Sequence, residues 1–232
     1  MRPNLFLIHF AGGNRYSFNF LKPHLKEAFN FIPLELPGRG QRMAEKYCSS
    51  IEKAVDDLLQ QVVQTNGSNP FVIYGHSLGS TLALLLAHKL ELMNRPPLGL
   101  IVSGNPGPGV EAEKDYKSFY KLSDEAFIEE LKIMGGLPDE ILTNEELLAF
   151  FLPILRADFS LYAFAEPDFN PIQTPIYAIM GDEEDGVDQI ENWERFTTAK
   201  FNYSVMQGKH FFIFDFPQKI ALIIKESLKR VS

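Results

Sequence analysis

One cysteine, Cys48, stands among 232 residues, which excludes an internal disulfide and any cysteine-based metal cluster. This suits a reducing compartment, and with Lys46 as the nearest basic neighbour the thiol is expected to be inert. Long apolar runs are also missing, since none approaches the roughly 20 residues of a membrane span. The first apolar run, Leu5-Phe10, is short and is broken at Gly12-Gly13, so it does not read as a secretory signal. These absences predict a soluble cytoplasmic protein that does not engage a membrane. Positive charge is scarce as well: 22 Lys and Arg face 30 Asp and Glu, for a formal charge of -8. The basic residues are scattered, whereas phosphate-backbone binding needs them clustered, which argues against nucleic acid as a partner.

What is present suits a single α/β domain over residues 1–232, because 45% apolar residues can build a substantial core at this length. Buried-strand patterns recur at Leu5-Phe10, Phe29-Leu34, Phe71-Tyr74, Gly99-Ser103, Ile176-Met180 and Phe201-Met206. Helical patterns separate most of them, which predicts a mostly parallel sheet with flanking crossover helices. A capping box Ser49/Glu52 opens one helix that ends near Asn66-Gly67, and another runs to about Met93 before Pro96-Pro97. A last helix is expected from Pro217 to about Arg230, with Ile220, Ile223, Ile224 and Leu228 on the sheet.

Residues of about 105–171 break this rhythm. Helical patterns at Ser123-Met134 and at Thr143-Leu152, the latter with a Thr143/Glu146 capping box, continue past Pro153 with no strand between them. A crossover needs less chain than this, so the segment is expected to be a helical lid over the carboxyl edge of the sheet, where open α/β folds place ligands. Among its aromatic and apolar side chains, including Phe119, Phe127, Leu131, Met134, Phe150, Phe159 and Tyr162, a minority should line a cavity.

Chemistry enters at Gly75-His76-Ser77-Leu78-Gly79, between the strand-like Phe71-Tyr74 and the apolar stretch Leu82-Leu90. The pentapeptide alone is a weak signal, but strand, G-x-S-x-G and helix in that order describe a nucleophile elbow, with Ser77 as nucleophile. A serine hydroxyl needs a base to take its proton and a third group to orient that base. In this arrangement the order along the chain is serine, acid, histidine. His210, after the last strand pattern, meets that order; His9, His24, His76 and His88 precede the acids and do not. The acid is one of the carboxylates in Asp182-Glu183-Glu184-Asp185, which directly follow Ile176-Gly181. Oxyanion donors are expected from the amide of Leu78 and from that of Ala11, or alternatively Phe10, in the turn before Gly12-Gly13. The glycine pair lacks the following G-K-[ST] of a phosphate loop.

With these residues placed, the chain resembles the type II thioesterases, stand-alone α/β-hydrolases that accompany nonribosomal peptide and polyketide synthases. The likeness rests on His9-Phe10-Ala11-Gly12-Gly13, Leu36-Pro37-Gly38-Arg39-Gly40, the elbow, and Gly208-Lys209-His210-Phe211-Phe212. Its most specific part is Met134-Gly135-Gly136-Leu137-Pro138 followed by Phe151-Leu152-Pro153-Ile154-Leu155-Arg156-Ala157-Asp158-Phe159. The resemblance implies hydrolysis of acyl and aminoacyl thioesters on the phosphopantetheine arm of carrier proteins, with no metal or cofactor. Ser80 stands where the family usually has glycine or alanine, a small change expected to be harmless. The family's acid stands third after the glycine, where this chain has Glu184, with Asp185 one step on. The order of preference is Asp185, then Glu184, then Asp182. A general carboxylesterase or lipase, and an acyl shuttle between carrier proteins, are the alternatives. Because the chain is acidic, docking to an acidic carrier is expected to use apolar contacts and a local basic patch including Arg39 or Arg42.

Overall fold

The computed structural model describes residues 2–110, 116–134, 139–162 and 169–229. Six strands, β1 (Asn4–Ile8), β2 (Asn30–Pro33), β3 (Phe71–His76), β4 (Gly99–Ser103), β5 (Ile176–Gly181) and β6 (Phe201–Met206), form one sheet. Their order is β2-β1-β3-β4-β5-β6, and all five pairings are parallel. Every expected strand is present. β1 stops at Ile8 because the next residue turns the chain: the His9 ring bonds the Phe10 carbonyl oxygen through Nδ1 at 2.8 Å and accepts from the Leu36 amide at Nε2.

The helices are α1 (Lys22–Leu25), α2 (Ile51–Asn66), α3 (Leu78–Leu92), α4 (Asp124–Met134), α5 (Asp139–Leu142), α6 (Glu145–Leu161) and α7 (Pro217–Lys229). α2 and α3 pack on one face of the sheet with Phe6, Ile73, Val102 and Trp193; α1 and α7 pack on the other with Leu7, Tyr74 and Ile179. Both cap expectations shift by one residue. Ser50, not Ser49, caps α2 by accepting from the Lys53 amide, which lets Ile51 begin the helix as a buried residue. Asn144, not Thr143, caps α6, its side-chain oxygen accepting from the amides of Glu146 and Leu147.

α4, α5 and α6 fall between β4 and β5, as the broken rhythm foretold. Pro153 lies inside α6 without ending it. A mid-helix proline removes one backbone bond, and burial of Ile154, Leu155, Asp158 and Phe159 just beyond it offsets that loss. Residues 135–138 of the insertion signature, Arg230 and the Leu228 side chain lie outside the described residues. Among the described residues no helix is long and apolar enough to cross a membrane.

Candidate active site

The end of β3 and the start of α3 are joined through Ser77 alone, at φ 57° and ψ -120°. A non-glycine residue there is strained, and the strain holds the side chain up at the strand ends. The two glycines are steric necessities. A Cβ on Gly75 would lie 2.1 Å from the Gly79 carbonyl oxygen, and one on Gly79 would lie 2.2 Å from that of Ile8. Ser80, expected to be neutral, is buried, and its hydroxyl accepts from the Ser103 amide at 3.0 Å and reaches the Ser103 carbonyl oxygen at 2.8 Å. It pins the first turn of α3 to the end of β4.

His210 follows β6 and brings Nε2 to 3.0 Å from Ser77 Oγ. Its Nδ1 lies 2.6 Å from Glu184 Oε1, whose other oxygen accepts from the Gly181 amide at 2.7 Å. The carboxylate brought to the ring is therefore Glu184, not the preferred Asp185. The reason lies in the turn after β5. The Glu184 amide closes back on the Gly181 carbonyl oxygen, and the long side chain folds over the strand end toward His210. Asp185, one step further, is carried past the turn; its Oδ2 is buried without a hydrogen-bond partner among the described residues. Asp182 is exposed and accepts from the Gly208 amide, closing the β5 and β6 loops together, and Glu183 is exposed.

With Nδ1–H donating to Glu184, the ring presents the lone pair of Nε2 to the serine hydroxyl. His76, set aside from the sequence, packs beside His210 with ring centroids 5.1 Å apart and contacts Ser103 Oγ through Nδ1. Burial, and secondly the nearby His210, hold its pKa well below the usual 6.5, so it sits there neutral.

Leu78 opens α3, so its amide has no acceptor within the helix. Phe10 and Ala11 occupy the turn closed by the Gly13 amide on the Phe10 carbonyl oxygen, and both border the cavity that holds Ser77 and His210. That cavity measures about 20 Å³, close to the space one water needs. Among the described residues its other walls are Leu131, Met134, Leu155 and Phe159 from the insertion, and Phe211. Phe119 and Phe127 pack inside the insertion, and Phe150 is exposed, so a minority of the insertion's apolar side chains line the cavity.

Two residues expected at a docking face are committed elsewhere. Arg39 is buried and holds Asp158 of α6 through both oxygens, at 2.5 and 2.7 Å, while Asp158 Oδ2 also accepts from the Gly12 amide at 2.8 Å. Arg42 is gripped by Asp57 and Glu45. Neither is a free basic patch. Among the described residues no group of three or more His, Cys, Asp or Glu is placed to hold a metal ion.

A family model described as the thioesterase domain matches residues 3–228. The gramicidin S biosynthesis protein GrsT of Aneurinibacillus migulanus is 31% identical over 215 residues, which are 91% of this chain and 83% of that protein. The medium-chain S-acyl fatty acid synthase thioesterase of Rattus norvegicus is 27% identical, over 88% of this chain and 78% of that protein. Among solved structures, ClbQ from the colibactin NRPS/PKS pathway superposes with a TM-score of 0.91 at 28% identity, covering 99% of this chain and 98% of that one.

Proposed function

Because the chain belongs to the thioesterase-domain family and is a thioester hydrolase of α/β-hydrolase fold, we propose that it removes short acyl or aminoacyl groups from the phosphopantetheine arm of carrier proteins in nonribosomal peptide or polyketide assembly. The observation that carries the reading is the unbroken hydrogen-bonded line Ser77–His210–Glu184 beneath a small apolar cavity. The kinship to GrsT and ClbQ supports the biosynthetic setting. The described helices between β4 and β5 belong, in this reading, to a lid of about 105–171 within one domain.

In the first half-reaction His210 Nε2 takes the Ser77 proton as Oγ bonds to the thioester carbonyl carbon. Glu184 holds the ring in the required tautomer and stabilises its positive charge. The oxygen of the tetrahedral intermediate takes its negative charge toward the amides of Leu78 and Ala11. Collapse breaks the C–S bond, and the thiolate leaves with the proton from His210. Water, deprotonated by the same nitrogen, then attacks the acyl-serine and releases the acid. Protein groups and water supply every proton, so the reaction requires no cofactor beyond the arm the substrate brings.

The test is turnover of acyl groups on a carrier protein, on free coenzyme A and as oxygen esters. Specificity constants are expected to be highest on the carrier, since docking adds binding energy realised only there. Ser77→Ala should abolish turnover, and a fluorophosphonate should label the protein once, at Ser77. Equal constants for carrier-bound and oxygen-ester substrates would instead mark a general esterase.

A further inference from the structure

The line of hydrogen bonds at Ser77 has a branch. The Tyr162 hydroxyl, at the carboxyl end of α6, lies 3.2 Å from Ser77 Oγ. Leu155, Phe159 and Tyr162 are spaced i, i+4 and i+7 and therefore share one helix face. Leu155 and Phe159 wall the cavity, and the Tyr162 ring lies 5.8 Å from that of Phe159. The protons assign the roles. Ser77 has one hydrogen, and His210 Nε2 is its acceptor once Nδ1 donates to Glu184, so Oγ can only accept from Tyr162.

A donor at this point has a second use after acylation. Oγ then becomes an ester oxygen, a weak acceptor, and the Tyr162 hydroxyl faces the first atoms of the acyl group. Among the described residues, and apart from Ser77 and His210, the side chains bordering the cavity are apolar: Phe10, Ala11, Leu131, Met134, Leu155, Phe159 and Phe211. The acyl oxygen is already served by the amides of Leu78 and Ala11 in the mechanism above. The remaining polar position within reach is a substituent on the α-carbon, two bonds from Oγ. We infer, resting on the thioesterase reading above, that Tyr162 is a specificity-determining residue that hydrogen-bonds an α-hydroxyl or α-amino group, so that the enzyme favours α-hydroxyacyl and aminoacyl thioesters over plain acyl ones of the same size.

The experiment compares lactyl-, alanyl- and propionyl-pantetheine thioesters, which match in carbon number and differ at the α-carbon, on the wild-type protein and on Tyr162→Phe. The wild-type kcat/KM is expected to be higher for lactyl and alanyl than for propionyl. Whatever the loss of its bond to Ser77 does to all three substrates alike, Tyr162→Phe should lower the lactyl-to-propionyl and alanyl-to-propionyl ratios of kcat/KM by about tenfold, the worth of one buried hydrogen bond. Complete fluorophosphonate labelling of the variant at Ser77 would show that the nucleophile is still in place. An equal loss on all three substrates, or no loss on any, would overturn the inference and leave the thioesterase reading standing. A wild-type protein inert to all three thioesters, yet active on an oxygen ester, would overturn both.

Discussion

Glu184 reaches His210 because its side chain is one methylene longer than aspartate and doubles back across the turn after β5. Glu184→Gln should therefore lower kcat by about 10³–10⁴-fold, the loss seen when a serine–histidine pair loses its orienting carboxylate. Asp185→Asn and Asp182→Asn should each change it by less than about threefold. Steady-state rates on one acyl thioester decide it, and a crippled Asp185→Asn beside a near-normal Glu184→Gln would reverse the assignment. Ser77 and His210 were legible in the sequence because G-x-S-x-G and the order of the chain constrain them. The acid was not, since four adjacent carboxylates differ only in how the turn aims them. Ser80 and Tyr162 escaped for a similar reason: a hydroxyl's partner is a property of packing, and no spacing rule announces it.

At the scale of elements, the buried pair Arg39–Asp158 joins the loop after β2 to α6, and through the Gly12 amide it also holds the turn after β1. Removing one partner strands a buried charge, which costs about 3–5 kcal/mol. Arg39→Met and Asp158→Leu are each expected to lower the urea midpoint by that equivalent, and the double variant to recover much of the loss because no charge is left unpaired. Additive losses in the double variant would contradict this account. The sequence displayed these two residues inside its most specific motifs, yet their pairing over 119 residues could not be read from either, so Arg39 looked like a surface charge. Strands and helices were far more legible. Their periodicities are local, and the errors were shifts of one or two residues at strand ends, as at β1, and of one residue at caps, where the burial of Ile51 or the reach of Asn144 chose between neighbouring candidates.

Across the whole molecule, two buried histidines tie stability to acidity. Burial, and secondly the neighbouring Arg39, lower the pKa of His9 from 6.5 to about 4, and His76 is lowered well below 6.5, chiefly by burial. Unfolding returns both rings to water, where they bind protons below about pH 6.5. Their stabilising contribution is thus complete above the unfolded value and declines as pH falls below about 6.5; for His9 the loss runs on toward about 4, at about 1.4 kcal/mol per pH unit. Urea unfolding at a series of pH values should show this slope, and a flat profile over that window would refute it. The bond between His210 and Ser77 spans 133 residues, and every strand pairing from β3 through β6 lies between them. Closing so long a loop is slow and comes after local structure has formed. During refolding, serine reactivity toward a fluorophosphonate should therefore lag the recovery of helical circular dichroism, making the nucleophile itself a clock for the last step of folding.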